Sequence, residues 1–245
     1  MGSGYYAAST ALVARTQALD AIANNLANAG TIGYRAEHNV FKTVLADTSI
    51  ASSSEINQAV NNFSVMGQTV LDLSQGALQK TGNDLDVGVQ GSGFFVVQTS
   101  GGNLYTRNGS FQMSGNGQLV TTSGDPVVGG NGPITIPPGP VSISPDGTIS
   151  SNGAIAGKLK LVQFPKDVNL TPMGNNYYSA PDNVGTDATD SIVQQGALES
   201  SNVNPITAMV ELITAQRDAE MMQRSLSLYN TDMDKTATKE LPKVG

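Results

Sequence analysis

Residues 94–121 have the sequence FFVVQTSGGNLYTRNGSFQMSGNGQLVT, and this stretch decides the fold class. Runs of aromatic and β-branched residues favour strands, and the short segments rich in glycine and asparagine between them favour turns. These predicted turns are Ser100-Gly101-Gly102-Asn103, Asn108-Gly109 and Gly115-Asn116-Gly117. The predicted strands are Phe94–Gln98, Leu104–Arg107, Ser110–Met113 and Gln118–Thr121. Asn108-Gly109 lies between two of these runs and is the strongest short signal for a β-hairpin. The stretch therefore predicts consecutive antiparallel strands joined by tight turns.

The same pattern extends towards the C-terminus. Turn signals recur at Asp146-Gly147 and Asn152-Gly153, and Lys158–Phe164 is a further predicted strand. Turns at this spacing indicate a sandwich or an irregular barrel. The tetrapeptide Gln-Gly-Ala-Leu occurs at residues 75–78 and again at 195–198, on either side of the strand-rich region. We predict an all-β middle domain over residues 75–198 with these two copies as hinges, preceded by an extended linker over residues 36–74.

The N-terminal segment, residues 1–35, is predicted to contain a long helix. Mostly apolar residues recur at alternating steps of three and four positions, which is the spacing of a coiled-coil seam. The seam consists of Tyr5, Ala8, Leu12, Arg15, Leu19, Ile22, Leu26 and Ala29, and only Arg15 interrupts its apolar character. A row of small residues beside the seam would let another backbone approach closely, and it consists of Ala7, Ala11, Ala14, Ala18 and Ala21.

The C-terminal segment, residues 199–245, shows the same spacing. Its predicted seam consists of Leu212, Ala215, Ala219, Met222, Leu226, Tyr229 and Met233. Asn204 can cap the helix, Pro205 suits its first turn, and Pro242 ends it. We therefore predict an α+β fold in which long terminal helices pair as an antiparallel coiled coil, with the all-β domain inserted between them. Apolar faces that this pairing leaves uncovered predict assembly with neighbouring copies.

Composition excludes several classes of function. The chain has 245 residues, a net charge of −7 and no cysteine, so disulfides, zinc-thiolate sites and cysteine nucleophiles are excluded. No basic stripe is present, which argues against a nucleic-acid partner. The N-terminus resembles no secretory signal, and no apolar stretch is long enough for a membrane span. A working place outside the cytoplasm would therefore require export without cleavage of such a signal.

Possible binding and catalytic motifs have simpler interpretations. Gly91-Ser92-Gly93 lacks the third glycine and the following helix of a nucleotide loop, so we predict a turn that leads into a strand. Asp84 and Asp86 are predicted to lie in a solvated turn rather than to bind calcium, and His38 to lie at the surface. We expect no cofactor, metal or small-molecule substrate. Two interpretations of Asn24, Asn25 and Asn28 stay open: amide contacts to neighbouring copies, or a polar helix end that binds its own backbone.

Four segments resemble the flagellar rod and hook proteins. These segments are ALDAIANNLAN at residues 18–28 followed by Thr31, Gly33 and Tyr34; LDVGVQGSGFF at 85–95; YTRNGSF at 105–111; and GALESSNV at 196–203. They occur in the family's order across nearly the whole chain. Length and the single middle domain are most similar to rod proteins of the proximal-rod type. The chain departs from the family pattern at Ala219, where the family usually has an aromatic residue, and in its less apolar opening Met1-Gly2-Ser3-Gly4.

The resemblance implies a structural subunit and no enzyme. Such proteins leave through the flagellar type III export apparatus and stack helically, with copies of themselves and other rod proteins, into the torque-transmitting rod that crosses the periplasm. Their terminal helices form the inner tube. On the resemblance, the motif turns carry Thr31, Gly33, Tyr34, Gly91, Gly93, Arg107 and Gly109.

Two other classes of function are weaker. An extracellular adhesin or pilus-like protein would explain the β domain but not the paired terminal heptads. A glycan hydrolase needs two carboxylates that face a sugar, and the sequence shows no clear pair.

Overall fold

The computed structural model describes residues 2–43, 65–165, 168–181 and 183–240. This described part contains two helices, α1 (Gly2–Ala27) and α2 (Pro205–Glu240), with nineteen strands between them. None of the described helices has the length and apolar character that a membrane span requires. The chain divides into two compact units, the first formed by Met1–Leu26, Glu37–Val70 and Pro205–Gly245 and the second by Ala27–Ala36 and Leu71–Asn204.

Most strands are short, as the frequent turn signals indicate. In chain order they are β1 (Glu37–Thr43), β2 (Val65–Leu71), β3 (Leu78–Lys80), β4 (Val87–Gln90), β5 (Phe94–Thr99), β6 (Gly102–Thr106), β7 (Phe111–Met113), β8 (Leu119–Thr121), β9 (Val128–Gly129), β10 (Gly132–Pro133), β11 (Val141–Ile143), β12 (Thr148–Ser151), β13 (Ala154–Lys158), β14 (Leu161–Gln163), β15 (Thr171–Pro172), β16 (Tyr177–Ser179), β17 (Thr186–Asp187), β18 (Ile192–Gln195) and β19 (Ala197–Glu199).

The second unit is built around an antiparallel sheet of six strands in the order β15-β16-β6-β5-β14-β17. A three-stranded sheet, β11-β12-β13, and the pairs β9–β10, β4–β18, β3–β19 and β7–β8 complete it. The two Gln-Gly-Ala-Leu copies lie at the staggered ends of one strand pair, because β3 pairs with β19 in the register Leu78↔Glu199 and Leu198↔Gln79. The segments where the strand-rich region begins and ends are therefore hydrogen-bonded to each other.

Strand β5 separates two hydrophobic clusters. Successive side chains on a strand point to opposite faces. Phe95 and Val97 lie in the larger cluster with Phe111, Leu119 and Ile149, whereas Phe94 and Val96 lie in the smaller cluster with Phe164 and Tyr178. Because both faces of β5 are covered, its first residues form a continuous apolar run instead of the alternating pattern of a half-exposed strand.

Some of the predicted turns, strands and helix ends are confirmed and others are wrong. The turns at residues 100–103 and 115–117 are confirmed as hairpin connections, since β5 pairs with β6 and β7 pairs with β8. The Asn108-Gly109 hairpin is wrong, because β6 pairs with β5 and β16 while β7 pairs with β8. The predicted strand Lys158–Phe164 is divided between the end of β13 and β14. The start of α2 at Pro205 is confirmed, whereas residues 44–64 of the predicted linker lie outside the described residues.

The predicted fold class, α+β with an antiparallel coiled coil of the terminal helices, is wrong. The described chain is mainly β, and within it no extended row of contacts joins α1 to α2. Arg15 Nη1 and Asp218 Oδ2, both partly exposed, lie 4.0 Å apart on the two helices. Arg15 interrupts the predicted seam of α1, so a helix packed along that seam would have to cover a charged group. On α2 the large apolar residues Ile206, Val210 and Ile213 lie outside the predicted seam and are exposed.

Candidate functional site

Three charged side chains meet in the interior of the second unit, and we call them the arginine–glutamate cluster. Arg35 follows α1, Arg107 follows β6, and Glu199 ends β19. Arg35 Nη2 lies 2.7 Å from Glu199 Oε1, and Arg107 Nη1 lies 3.2 Å from Glu199 Oε2. The exposed fraction of each side chain is 1% or less. One carboxylate therefore joins two cations that lie far apart in the sequence.

Further contacts fix the two ends of this cluster. Arg107 Nη2 donates to the carbonyl oxygen of Gly91 at 2.6 Å, and its guanidinium carbon lies 4.7 Å from the centre of the Phe94 ring. The Gly76 amide donates to Glu199 Oε1 at 2.8 Å. Hydrogen bonds of this kind and contact with an aromatic face offset part of the cost of burying charge.

The cluster carries one uncompensated positive charge, because two arginines share one carboxylate. Burial lowers the pKa of Arg107 to about 10, with repulsion from Arg35 in the same direction and Glu199 acting against both. Arg35 Nε and Nη1 and Arg107 Nε have no hydrogen-bond partner among the described residues. The N–H groups of Arg35 Nη2 are also not aimed at an acceptor, so its short contact with Glu199 is an ion pair rather than a directed hydrogen bond. Such a site depends strongly on its single carboxylate.

Two glycines allow the backbones around the cluster to meet. Gly33 has φ +69, and a Cβ atom there would lie 2.5 Å from the carbonyl carbon of Arg107. Its amide donates to the carbonyl oxygen of Glu199 at 2.7 Å. A Cβ atom on Gly76 would lie 2.0 Å from the carbonyl oxygen of Ser200. Any larger residue at either position would separate segments that the cluster holds together.

The predicted motif residues fall into two groups. Gly33, Gly91 and Arg107 belong to the cluster and its contacts. The others lie elsewhere: Thr31 Oγ1 donates to Asn28 Oδ1 at 3.1 Å, the Tyr34 amide donates to the Thr31 carbonyl at 3.3 Å, the Gly93 amide donates to Ser191 Oγ at 2.9 Å, and the Gly109 carbonyl accepts from the Val87 amide at 3.0 Å. These four hold turns that adjoin the cluster in sequence.

The predicted assembly residues lie on the two helices of the first unit or directly after α1. Half-buried side chains are Leu12, Ala14, Ala18, Leu19, Ile22, Leu26, Asn28, Leu212, Met222 and Leu226; Asn25 and Ala219 are buried, and Asn24 is exposed. Tyr229 lies within α2, but its side chain falls outside the described part of the chain. The structure does not bring these residues together into one seam.

Asn25 has a specific role within its own unit. Its Nδ2 donates to the Glu37 carbonyl and its Oδ1 accepts from the Glu37 amide, each at 2.8 Å. The side-chain amide thus pairs with the backbone as a neighbouring strand would, at the start of β1. Burial raises the pKa of the Glu37 carboxyl. For Asn25 this geometry favours the interpretation of a polar helix end that binds its own chain.

The other residues for which a binding role was considered lie in turns or at the surface, except for Asp86. Residues 91–93 form a turn between β4 and β5, which confirms that interpretation. His38 and Asp84 are exposed as predicted, but Asp86 is buried and its Oδ1 accepts from Asn83 Nδ2 at 3.2 Å. Among the described residues no three His, Asp or Glu side chains are grouped as a metal site would require.

Sequence reasoning missed that Arg35 and Glu199 belong to one site with Arg107. The signal available was chemical context: charged residues are only 13% of the chain, Arg35 directly follows the motif residue Tyr34, and Glu199 follows Leu198 within the segment 196–203. A charge in such a context is a candidate for a buried pair. Its partner could not be read from spacing, because these residues meet only through the fold.

The described residues thus form a β unit in which buried ion pairs join segments of chain that continue into the two terminal helices. Three family models match the chain: "Flagella basal body rod protein" over residues 6–35, "Flagellar hook protein FlgE/F/G D1 domain" over 88–151, and "Flagellar basal body rod FlgEFG protein C-terminal" over 194–239.

Complete proteins match over most of their length. The chain is 36% identical over 226 residues to the flagellar basal-body rod protein FlgF of Mesorhizobium japonicum, covering 90% of each chain. It is 34% identical to FlgF of Caulobacter vibrioides, covering 92% of each. It is 32% identical to the rod protein FlgG of Buchnera aphidicola, covering 92% of this chain and 95% of that one. The chain belongs to the flagellar basal-body rod protein family, and the resemblance seen in its sequence is confirmed.

Proposed function

We propose that the protein is a structural subunit of the flagellar rod that assembles through its terminal helices with copies of itself and with other rod proteins. Its place is the basal body, and its task is to transmit torque along the shaft. Family membership supports the role in the rod. The observation that supports the helices as the assembling elements is an exposed apolar face on α2.

That face, which we call the α2 stripe, consists of Ile206, Met209, Val210 and Ile213. Steps of three and four place these residues on one side of a helix. Their exposed fractions range from 46% to 76%, and Met221 and Leu228 on the same side are also exposed. A contiguous apolar face in water marks a surface that another protein covers. In a rod subunit, the α2 stripe suits a neighbouring subunit.

Three finer points belong to this proposal. Export takes place through the flagellar type III apparatus, as the family resemblance implies, so the protein should accumulate inside cells that lack this apparatus. The position is in the proximal part of the rod, on the basis of length and the single middle domain. The role is mechanical and involves no catalytic step, cofactor or small-molecule substrate.

Ile213→Asp tests the proposed assembly surface. An unpaired charge buried in a dry contact costs several kcal/mol, and the same contact repeats at every subunit of the rod. We expect the variant to be produced and exported but to be absent from purified basal bodies, with loss of motility in a strain that lacks the native gene. Gln223→Asp, a change at an exposed polar position of the same helix, should assemble normally.

Normal rods built from Ile213→Asp would rule out the α2 stripe as an assembly surface. A second measurement uses the absence of cysteine from the chain. Ile213→Cys introduces a unique thiol, and a thiol-specific cross-linker should join subunits through it in intact basal bodies but not in the isolated monomer.

A further inference from the structure

The chain passes between its two units four times. These crossings follow Leu26, Ala36, Val70 and Asn204. Within the second unit, each crossing adjoins a segment that connects this unit to the first: the crossings after Leu26 and Asn204 lead to the terminal helices, and those after Ala36 and Val70 lead to Glu37–Val70. Those segments are residues 27–36, the residues from Leu71 onward, and the residues that lead up to Asn204.

Asn202 binds all three of these segments. Its Oδ1 accepts from the Ala36 amide at 2.7 Å, and its Nδ2 donates to the carbonyl oxygens of Asp72 at 2.9 Å and Ser74 at 3.1 Å. The backbone amide of Asn202 donates to the backbone carbonyl of Tyr34 at 3.3 Å. A carboxamide accepts at its oxygen and can donate two hydrogen bonds from its nitrogen, which suits one donor and two acceptors around it.

Backbone hydrogen bonds join the same segments. The Asp72 amide donates to the Ala36 carbonyl at 2.8 Å, and the Gly33 amide donates to the Glu199 carbonyl at 2.7 Å. We call Tyr34, Ala36, Asp72, Ser74 and Asn202 the crossing tie. These five residues lie outside the strands, and the Ala36–Asp72 bond adjoins the end of the β1–β2 pair, so backbone bonds and the Asn202 side chain together join the segments.

We infer that Asn202 is a positioning residue that fastens the crossing segments to one another, so that force on the terminal helices is shared among them before it reaches the β core. This inference rests on the proposed function, because only a torque-transmitting subunit experiences such force. Segments held in parallel share a force, whereas segments released from one another are loaded one at a time and open in turn. The crossing tie is therefore a local unit whose opening does not require the core to unfold.

Hydrogen exchange of the full-length chain tests the local part of the inference. In Asn202→Ala the amides of Ala36 and Asp72 should exchange about tenfold faster or more, because the Ala36 amide loses its acceptor and the segments lose their connection. Amides of Val96 and Val97 in β5 should keep their wild-type rates. Asn202→Asp retains the acceptor for the Ala36 amide, so this amide should stay closer to its wild-type rate. Asn116→Ala, at an exposed turn position, serves as control.

Two exchange results would overturn the inference. Unchanged rates at Ala36 and Asp72 would show that Asn202 does not hold the segments. Equal acceleration at Ala36, Asp72 and the β5 amides would show that Asn202 supports the whole fold and that no separate tie exists.

Swimming under load tests the mechanical part. Cells that carry Asn202→Ala should assemble rods, swim at near wild-type speed in dilute medium, and lose speed more steeply than wild type as methylcellulose raises the viscosity. A wild-type dependence on viscosity would overturn the mechanical role. Failure of this inference can be distinguished from failure of the proposed function. If the protein is not a rod subunit, wild-type protein will be absent from purified basal bodies, whatever the hydrogen-exchange rates of the variants.

Discussion

At the scale of single residues, Glu199 joins two buried arginines through one carboxylate. It is the only carboxylate in contact with both Arg35 and Arg107 among the described residues, and water does not reach any of the three side chains. Removal of one partner from a buried ion pair leaves the other charge unsolvated and unpaired. The arrangement is therefore sensitive to a change of a single atom in the carboxylate.

Glu199→Gln should lower the free energy of unfolding by about 3–5 kcal/mol, the usual cost of breaking a buried ion pair. The amide keeps the shape of the side chain but leaves two buried cations without a counter-charge. Urea unfolding followed by circular dichroism measures the effect. Lys158→Gln, which removes the ion pair with Asp146 at the surface, should leave the midpoint almost unchanged.

Coincident unfolding curves for the two variants would contradict this prediction. Glu199→Asp extends the comparison, because it keeps the charge while shortening the side chain. Its midpoint should fall between those of the wild type and Glu199→Gln.

At the scale of elements, the segment at Asn108-Gly109 shows what local patterns can and cannot predict. Two strand-like runs flank it, so the dipeptide indicates a hairpin. In the fold, β6 and β7 belong to different sheets, and Gly109 packs against the backbone of β4 at Val87. A Cβ atom on Gly109 would lie 1.7 Å from the Val87 carbonyl oxygen. The glycine is required by a close approach of two segments.

Gly109→Ala should therefore destabilise the protein by about 3 kcal/mol, since the Val87 backbone must move to admit a methyl group. Gly115→Ala, in the β7–β8 hairpin connection where nothing lies within 4 Å of the added atom, is the matched control and should have little effect. Thermal unfolding of both variants measures the difference. Equal melting temperatures would show that the close approach at Val87 does not exist.

Local sequence predicted the elements better than it predicted their partners. The aromatic and β-branched residues of Phe94–Gln98 predict a strand, which the fold contains as β5, and Pro205 predicts the start of α2. The partners of β6 and the meeting of Arg35 with Glu199 depend on contacts between distant segments, which short-range pattern does not encode. The predicted coiled coil of the terminal helices is wrong for a related reason. Heptad spacing indicates an apolar face on a helix but does not indicate which segment or molecule covers that face.

At the scale of the whole molecule, the second unit has boundaries that differ from those of the predicted β domain. It includes residues 27–36 and extends to Asn204. A fragment of residues 36–198 would therefore contain Arg107 but lack both Arg35 and Glu199. The arginine would be left in an apolar interior without its carboxylate.

A fragment of residues 27–204 should fold cooperatively, whereas a fragment of residues 36–198 should unfold at a markedly lower urea concentration. The shorter fragment lacks the cluster and the Gly33 contact with Glu199, and it leaves Arg107 as a buried unpaired charge. Circular dichroism and size-exclusion chromatography of the two fragments compare their folding. Equal stability would show that the β core is independent of the cluster.

The uncompensated cation inside the second unit also affects how one subunit meets another. The net charge of −7 counts both arginines, yet one positive charge of the cluster is enclosed and cannot pair with a carboxylate of a neighbouring subunit. The charges available for contact at the surface are therefore one unit more negative than the sequence total, while the field at a distance corresponds to −7. Like-charged subunits repel as they stack, and dissolved ions weaken this repulsion over a screening length of about 8 Å at physiological ionic strength. Ionic strength thus becomes a condition of polymerisation, and dilute buffer should keep subunits apart that physiological salt allows to associate.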